Sequence, residues 1–252
     1  MRWAAVIVAA GRGARLGRPK QFLEMAGLPM VGWSIQTFAG MDEIAQIVVA
    51  TEAELIDEMR ALVARLVTRQ DASVVAGGAI RQESAYAGLR AVTADCDGAF
   101  VHDGARPLVT PHDVRAGMRA VRPSRGALLA MPVADTIKEV APDSRRVVAT
   151  LDRGQLWAAE TPQFALSLDL LHAHRQARRD NVTATDDAAL LERVGIETIV
   201  IPSTAPNFKV TLPDDVARAE SILRERTPIV MLSAPRSGES KHKRDERRPE
   251  RA

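Results

Sequence analysis

One cysteine, Cys96, in 252 residues excludes an internal disulfide and any multi-cysteine metal site, and no histidine near it in the chain is placed to act as its base. An inert thiol is the plainer reading. Long apolar runs are also missing: Ala4–Ala10 and Ile44–Ala50 fall far short of the roughly 20 residues that cross a bilayer, so no membrane partner is expected. Aromatic residues are scarce, with one tyrosine, three tryptophans and five phenylalanines, which argues against a base-stacking platform for single-stranded nucleic acid. Excess charge is small, at +2. Much of it lies between Pro235 and Ala252, where seven basic residues face four acidic ones, leaving the rest of the chain near −1. Residues 227–252 therefore read as a basic, disordered tail, and nucleic acid is not an expected partner. The opening Met1-Arg2-Trp3 enters a strand at once, predicting no signal peptide and a cytoplasmic location.

What is present is a periodic body, 46% hydrophobic and 26% charged, long enough for one α/β domain over residues 1–226. Ala4–Ala10 and Ile44–Thr51 are continuous apolar runs, as in parallel strands covered on both faces. Shorter strands are predicted at Ala72–Ala76, Gly98–His102 and Glu197–Ile201. Helices are predicted at Pro29–Phe38, from Leu55 to Leu66, at Arg81–Val92, after Pro111, at Leu166–Arg178, Asp186–Val194 and Asp214–Arg224. Leu128–Val140 and Arg146–Leu151, around the turn Pro142-Asp143-Ser144, suggest a hairpin arm over about 132–158. The order implies a three-layer, mostly parallel, Rossmann-like sheet with a protruding β-hairpin arm.

The first strand runs into AAGRGARLGRPKQ, residues 9–21. Glycines at 11 and 13 let backbone N–H groups approach a phosphate, and Arg12, Arg15, Arg18 and Lys20 add positive charge. Leu16 occupies the place where a dinucleotide fingerprint needs its third glycine, and no acidic residue closes the second strand suitably, which weakens a dehydrogenase reading. No G-x-x-x-x-G-K-[ST] occurs, so an ordinary P-loop is excluded. Alone, the loop also has a plainer reading, a tight surface turn.

In company with GGAIRQES (77–84), HDGARP (102–107), PVADTIK (132–138), LDRGQLWAAETPQ (151–163), ATDDAA (184–189) and NFKVT (207–211), it resembles the 2-C-methyl-D-erythritol 4-phosphate cytidylyltransferase family over roughly residues 3–225. The resemblance implies attack of a methylerythritol phosphate oxygen on the α-phosphorus of CTP, releasing pyrophosphate, on the non-mevalonate route to isoprenoids. Such chemistry needs alignment and charge stabilisation, with nothing covalent from the protein.

The resemblance also implies roles. Arg15 and Lys20 stabilise the transition state, and the backbone of Ala9, Ala10, Gly11 and Gly13 lines the nucleotide. Gly77, Gly78, Arg81 and Ser84 face the cytosine; many members carry an acid after the two glycines, where this chain has Ala79. Asp103 and Ala105 approach ribose and phosphates, Arg106 shapes the substrate pocket, and Mg2+ is held mainly by CTP phosphates, with no metal site built from protein groups. Arg153 and Lys209 clamp the sugar phosphate, assisted by Thr136, Lys138 and Thr161. Asp135 and Thr136 sit on the arm, which implies a homodimer. Thr185 marks a further substrate position, or simply caps the next helix.

Plainer readings pair Asp103 with Arg106 as a loop salt bridge, leave Arg81 in an exposed first helical turn, and make His102 structural. The rival readings are a cytidylyltransferase for another polyol phosphate such as ribitol 5-phosphate, a non-catalytic nucleotide-binding module using the basic tail, and a bifunctional enzyme truncated before a second domain, which the tail's composition weakens.

Overall fold

Residues 3–9 alternate between two cores. Trp3, Ala5, Ile7 and Ala9 enter one apolar cluster, and Ala4 and Val6 enter another. A strand covered on both sides has no use for a polar face, so its sequence is apolar throughout. In a computed structural model describing residues 1–11 and 19–226, this strand is β1 (Trp3–Ala9).

The chain continues through the short hairpin β2 (Glu24–Met25) and β3 (Leu28–Pro29), α1 (Met30–Ala39), β4 (Ile44–Thr51), α2 (Ile56–Leu66), β5 (Asp71–Ala76), α3 (Arg81–Arg90), β6 (Gly98–Asp103) and α4 (Pro111–Ala120). Then come β7 (Arg125–Pro132), β8 (Lys138–Val140), β9 (Val147–Thr150), β10 (Trp157–Leu166), α5 (Ser167–Arg179), α6 (Asp187–Arg193), β11 (Glu197–Pro202) and α7 (Pro213–Arg226).

The main sheet has the order β11-β7-β10-β6-β1-β4-β5. Its pairings are parallel except where β10 meets β6 and β7, so β10 runs against the other strands of this sheet. One face packs α1, α2 and α4 through Val31, Ile35, Phe38, Met59 and Val114. The other packs α3, α5 and α6 through Ala85, Leu89, Leu170 and Leu191. A third cluster joins Met25, Met30, Ala105 and Leu108 to Val210 and to Ala219 and Leu223 of α7. The expected three-layer, mostly parallel architecture is what the chain adopts. Among the described residues no helix is long and apolar enough to cross a membrane.

Most of the expected elements appear within one to three residues at each end, and the differences have local causes. Pro29 is not inside the first turn of α1 but caps it, closing β3. Leu128–Val140 is not one β-rich segment: β7 starts three residues earlier, leaves the sheet after Pro132, and Lys138–Val140 pairs with Val147–Thr150 in a separate two-stranded hairpin. Its valines at 140, 147 and 148 are about half exposed. β10 has no counterpart among the expected elements. Its middle, Glu160-Thr161-Pro162-Gln163, looks like a loop in sequence, yet Glu160, Thr161 and Gln163 are buried and hydrogen-bonded.

Candidate active site

In an open, mostly parallel sheet, ligands bind beyond the carboxyl ends of the strands. At that end of β1, β4, β5 and β6 lies a cavity of about 720 Å³. Ala9, Ala10 and Gly11 form its floor, the turn Gly77–Ile80 one side, and Asp103–Ala105 the other; Lys20 and Lys209 also line it.

The Gly77 side is tight. A Cβ on Gly77 would lie 2.5 Å from the Ala10 Cβ and 2.8 Å from the Ser84 Oγ, so any side chain there would displace the loop. The Ser84 hydroxyl accepts from the Gly78 N–H at 3.1 Å, and the Glu83 carboxylate accepts from the Ala79 N–H at 2.8 Å, shaping the entry to α3.

Asp103, the last residue of β6, is held from both sides. Arg81 Nε donates to Oδ1 at 2.7 Å and Lys209 Nζ donates to Oδ2 at 2.8 Å. Burial alone would raise the pKa of this carboxyl; the guanidinium and ammonium outweigh burial and hold it well below the usual carboxylate range. The second arm of Arg81 reaches Asp187 at 2.8 Å, a carboxylate with no exposure that also meets His174 Nε2 at 2.9 Å. Burial acts against the Arg81 charge, but the two carboxylates prevail and raise its pKa. A chain His174–Asp187–Arg81–Asp103–Lys209 thus runs from the interior to the cavity.

Behind Asp103, the Thr161 hydroxyl accepts from the Asp103 N–H at 3.0 Å and lies 3.2 Å from His102 Nδ1. His102 Nε2 is 3.2 Å from the Arg106 carbonyl, which can only accept, so Nε2 carries the proton and Thr161 donates to Nδ1. Burial lowers the His102 pKa to about 3. The unfolded residue titrates near 6.5, above the folded value, so this contribution is complete above pH 6.5 and lost as pH falls toward 3, at up to about 1.4 kcal/mol per pH unit. Urea unfolding at a series of pH values between 7 and 4 should show that slope, and His102→Gln should flatten it; an equal slope in the variant would assign the acid sensitivity to other groups.

The sequence profile of the 2-C-methyl-D-erythritol 4-phosphate cytidylyltransferases matches residues 3–225. The chain belongs to this family. It is 39% identical over 226 residues to the member from Pelotomaculum thermopropionicum, covering 88% of this chain and 94% of that one. With the member from Halalkalibacterium halodurans the identity is 38% over 229 residues, covering 90% and 99%. The crystal structure of the Thermus thermophilus family member superposes with a TM-score of 0.69 at 29% identity, covering 89% of this chain and all of that one.

Of the residues that resemblance to the cytidylyltransferase family singled out, Ala9, Ala10, Gly11, Lys20, Gly77, Gly78, Arg81, Ser84, Asp103, Ala105 and Lys209 come together at this cavity. Gly13 and Arg15 lie outside the described residues, as does the tail 227–252. Others lie apart from the cavity wall. Arg106 does not pair with Asp103: its guanidinium donates to the Asn207 and Ala159 carbonyls and approaches Glu160 at 3.8 Å, tying the β6 loop to β10. Arg81 is not in an exposed turn but in the ion-pair chain. Thr161 is buried behind Asp103. Thr185 is exposed and does not cap α6; Asp186 does, accepting from the Ala189 N–H at 3.0 Å. Arg153 and Thr136 are exposed beside the β8–β9 hairpin, where Arg153 donates to the Ala134 carbonyl. Lys138, also exposed, donates to Thr150 across the hairpin.

Reading from sequence missed Gln21, Met30 and the segment Glu52–Glu54, all on the cavity wall. Glu52 directly follows β4, so an acidic residue does stand at the end of the second sheet strand. The signal was available, because β4 neighbours β1 and its carboxyl end must open on the same side.

Proposed function

We propose that this chain transfers the cytidylyl group of CTP to 2-C-methyl-D-erythritol 4-phosphate, a step toward isoprenoids. A phosphate oxygen of the polyol bonds to the α-phosphorus as the bond to the β-phosphate oxygen breaks, giving 4-diphosphocytidyl-2-C-methyl-D-erythritol and pyrophosphate. The observation that carries this reading is the convergence of Lys20, Lys209, Asp103 and the Gly77–Gly78 turn on one cavity, in a chain that matches the family along residues 3–225. The turn and the Ala9–Gly11 backbone accept the nucleotide. The two ammonium groups neutralise charge building on the reacting phosphates, and Asp103 keeps Lys209 placed. Arg15 joins them on the resemblance alone.

On the resemblance, Mg2+ would be held mainly by the triphosphate. Among the described residues no group of three His, Cys, Asp or Glu is placed to cage a metal, whereas one ionised carboxylate, Asp103, fits an ion that keeps most of its ligands as phosphate and water. When bound it would supply charge neutralisation.

Purified protein should release pyrophosphate from CTP with methylerythritol phosphate and not with ribitol 5-phosphate; the reverse preference would sink the substrate assignment while leaving the reaction type intact. The expected compartment is the cytoplasm, to be checked by fractionation.

Arg153 and Thr136 lie away from the cavity wall, and the half-exposed Val140, Val147 and Val148 stand nearby on the hairpin. That supports a homodimer in which the hairpin carries Arg153 to the partner's cavity. In a mixture of Arg153→Ala and Lys209→Ala proteins, each inactive alone, mixed dimers then contain one complete site. Activity should return to roughly a quarter of wild type after subunit exchange. No recovery would place Arg153 in the site of its own chain.

A further inference from the structure

Gln21 has no role in the reaction as derived above, yet its setting is unusual. It sits in the 3-10 turn Lys20–Phe22, is only 3% exposed, and lines the cavity, but neither its Nε2 nor its Oε1 has a hydrogen-bond partner. A buried amide left unpaired costs about 1–3 kcal/mol for each orphaned group, and such groups in folded proteins call for a reason.

The backbone that carries Gln21 is fixed, so only its side chain can adjust to a ligand. Leu23 N–H donates to the Lys20 carbonyl at 3.1 Å, Met30 N–H to the Leu23 carbonyl at 2.8 Å, and Phe22 packs into the main core, so the turn is pinned on both sides of Gln21.

We propose that the Gln21 carboxamide binds a sugar diol in this cavity, Nε2 donating to one hydroxyl and Oε1 accepting from its neighbour. This rests on the cytidylyltransferase reading for the identity of the sugars. The chemistry of the pair selects the ligand. A phosphate only accepts, so it would satisfy Nε2 and leave Oε1 orphaned; adjacent hydroxyls both donate and accept and satisfy the two together. Position separates the sugar from the base. Met30, which shares the cavity wall with Gln21, packs with Ala105 on the β6 side, whereas the Gly77–Ile80 turn follows β5 at the edge of the sheet, with β1 and β4 between. Both the ribose of CTP and the acceptor polyol carry such a diol.

The test is Gln21→Met, which keeps the length of the side chain and removes both polar atoms. Without ligand, the variant should unfold about 4–8 °C above wild type, because both orphaned atoms are gone. With ligand, one of two added stabilisations, that by CTP or that by methylerythritol phosphate, should shrink, with affinity lowered about tenfold or more. The ligand affected identifies the diol; 2′,3′-dideoxy-CTP in place of CTP checks the ribose arm. A variant less stable than wild type without ligand makes Gln21 a structural residue and overturns the inference. So does a variant that binds both ligands as tightly as wild type. Wild-type protein that turns over under the same conditions keeps the functional reading intact in either case, whereas wild-type protein that binds neither ligand overturns both.

Discussion

Lys209→Ala should lower kcat/KM for the acceptor by about 100- to 1,000-fold and also lower the melting temperature, because buried Asp103 loses one of its two cationic partners. The ammonium is fixed twice over. Its own carboxylate partner, Asp103, is anchored by Arg81, and its backbone is stitched to the β6 loop by the Val210 N–H to Ala105 carbonyl bond at 2.8 Å and by Arg106 to the Asn207 carbonyl at 2.7 Å. A positive charge already placed where phosphate charge accumulates needs no reorganisation during reaction, and the loss of one such group has this size in other enzymes. The Lys209 side chain is 39% exposed, so removing it opens no cavity in the core. Steady-state kinetics with each substrate varied in turn would decide. A fall of less than tenfold would reduce Lys209 to a structural counter-ion of Asp103.

In Asp187→Ala a large loss of stability dominates. Asp187 is fully buried, and its two oxygens face Arg81 and His174. Burial opposes its charge, but Arg81 and His174 hold its pKa below the ordinary value. Removing it leaves a guanidinium largely withdrawn from water with one partner instead of two. Breaking a buried pair in this way costs about 3–5 kcal/mol. Urea unfolding at neutral pH measures it directly, and a loss under about 1 kcal/mol would mean that water or rearrangement replaces the missing carboxylate. Because the other arm of Arg81 holds Asp103, the protein that still folds should also turn over more slowly.

The strands β1, β4 and β6 were legible because a strand covered on both faces is apolar at every position, and few other structures write so plain a pattern. α3 and α4 were legible through helical spacing and, for α4, through Pro111 behind the Thr110 cap. β10 was not, since its polar residues are buried against groups far away in the chain: Glu160 accepts from Ser203 and Asn207, and Gln163 donates to Asp186. No local window holds both halves of such a pair. The ion-pair chain escaped for the same reason. Asp103 is 22 residues from Arg81 and 106 from Lys209, and the nearer Arg106 was the natural guess. Sequence singled out Asp103 and Lys209, which line one cavity and pair there, and it grouped Lys209 with Arg153, which lies beside the hairpin away from that cavity wall.

β10 also acts as a ruler. It starts at Trp157, beside the hairpin, and four residues later sets Thr161 against the Asp103 amide. At about 3.3 Å per residue the regular stretch Trp157–Ala159 covers roughly 7 Å before its pairing with β7 becomes irregular ahead of Gln163. Substitution along Trp157–Ala159 leaves the span unchanged. Adding or deleting one residue does not, because it moves Thr161 along the strand relative to the Asp103 amide it accepts from. In this stretch length is the constrained quantity, and side-chain identity the free one.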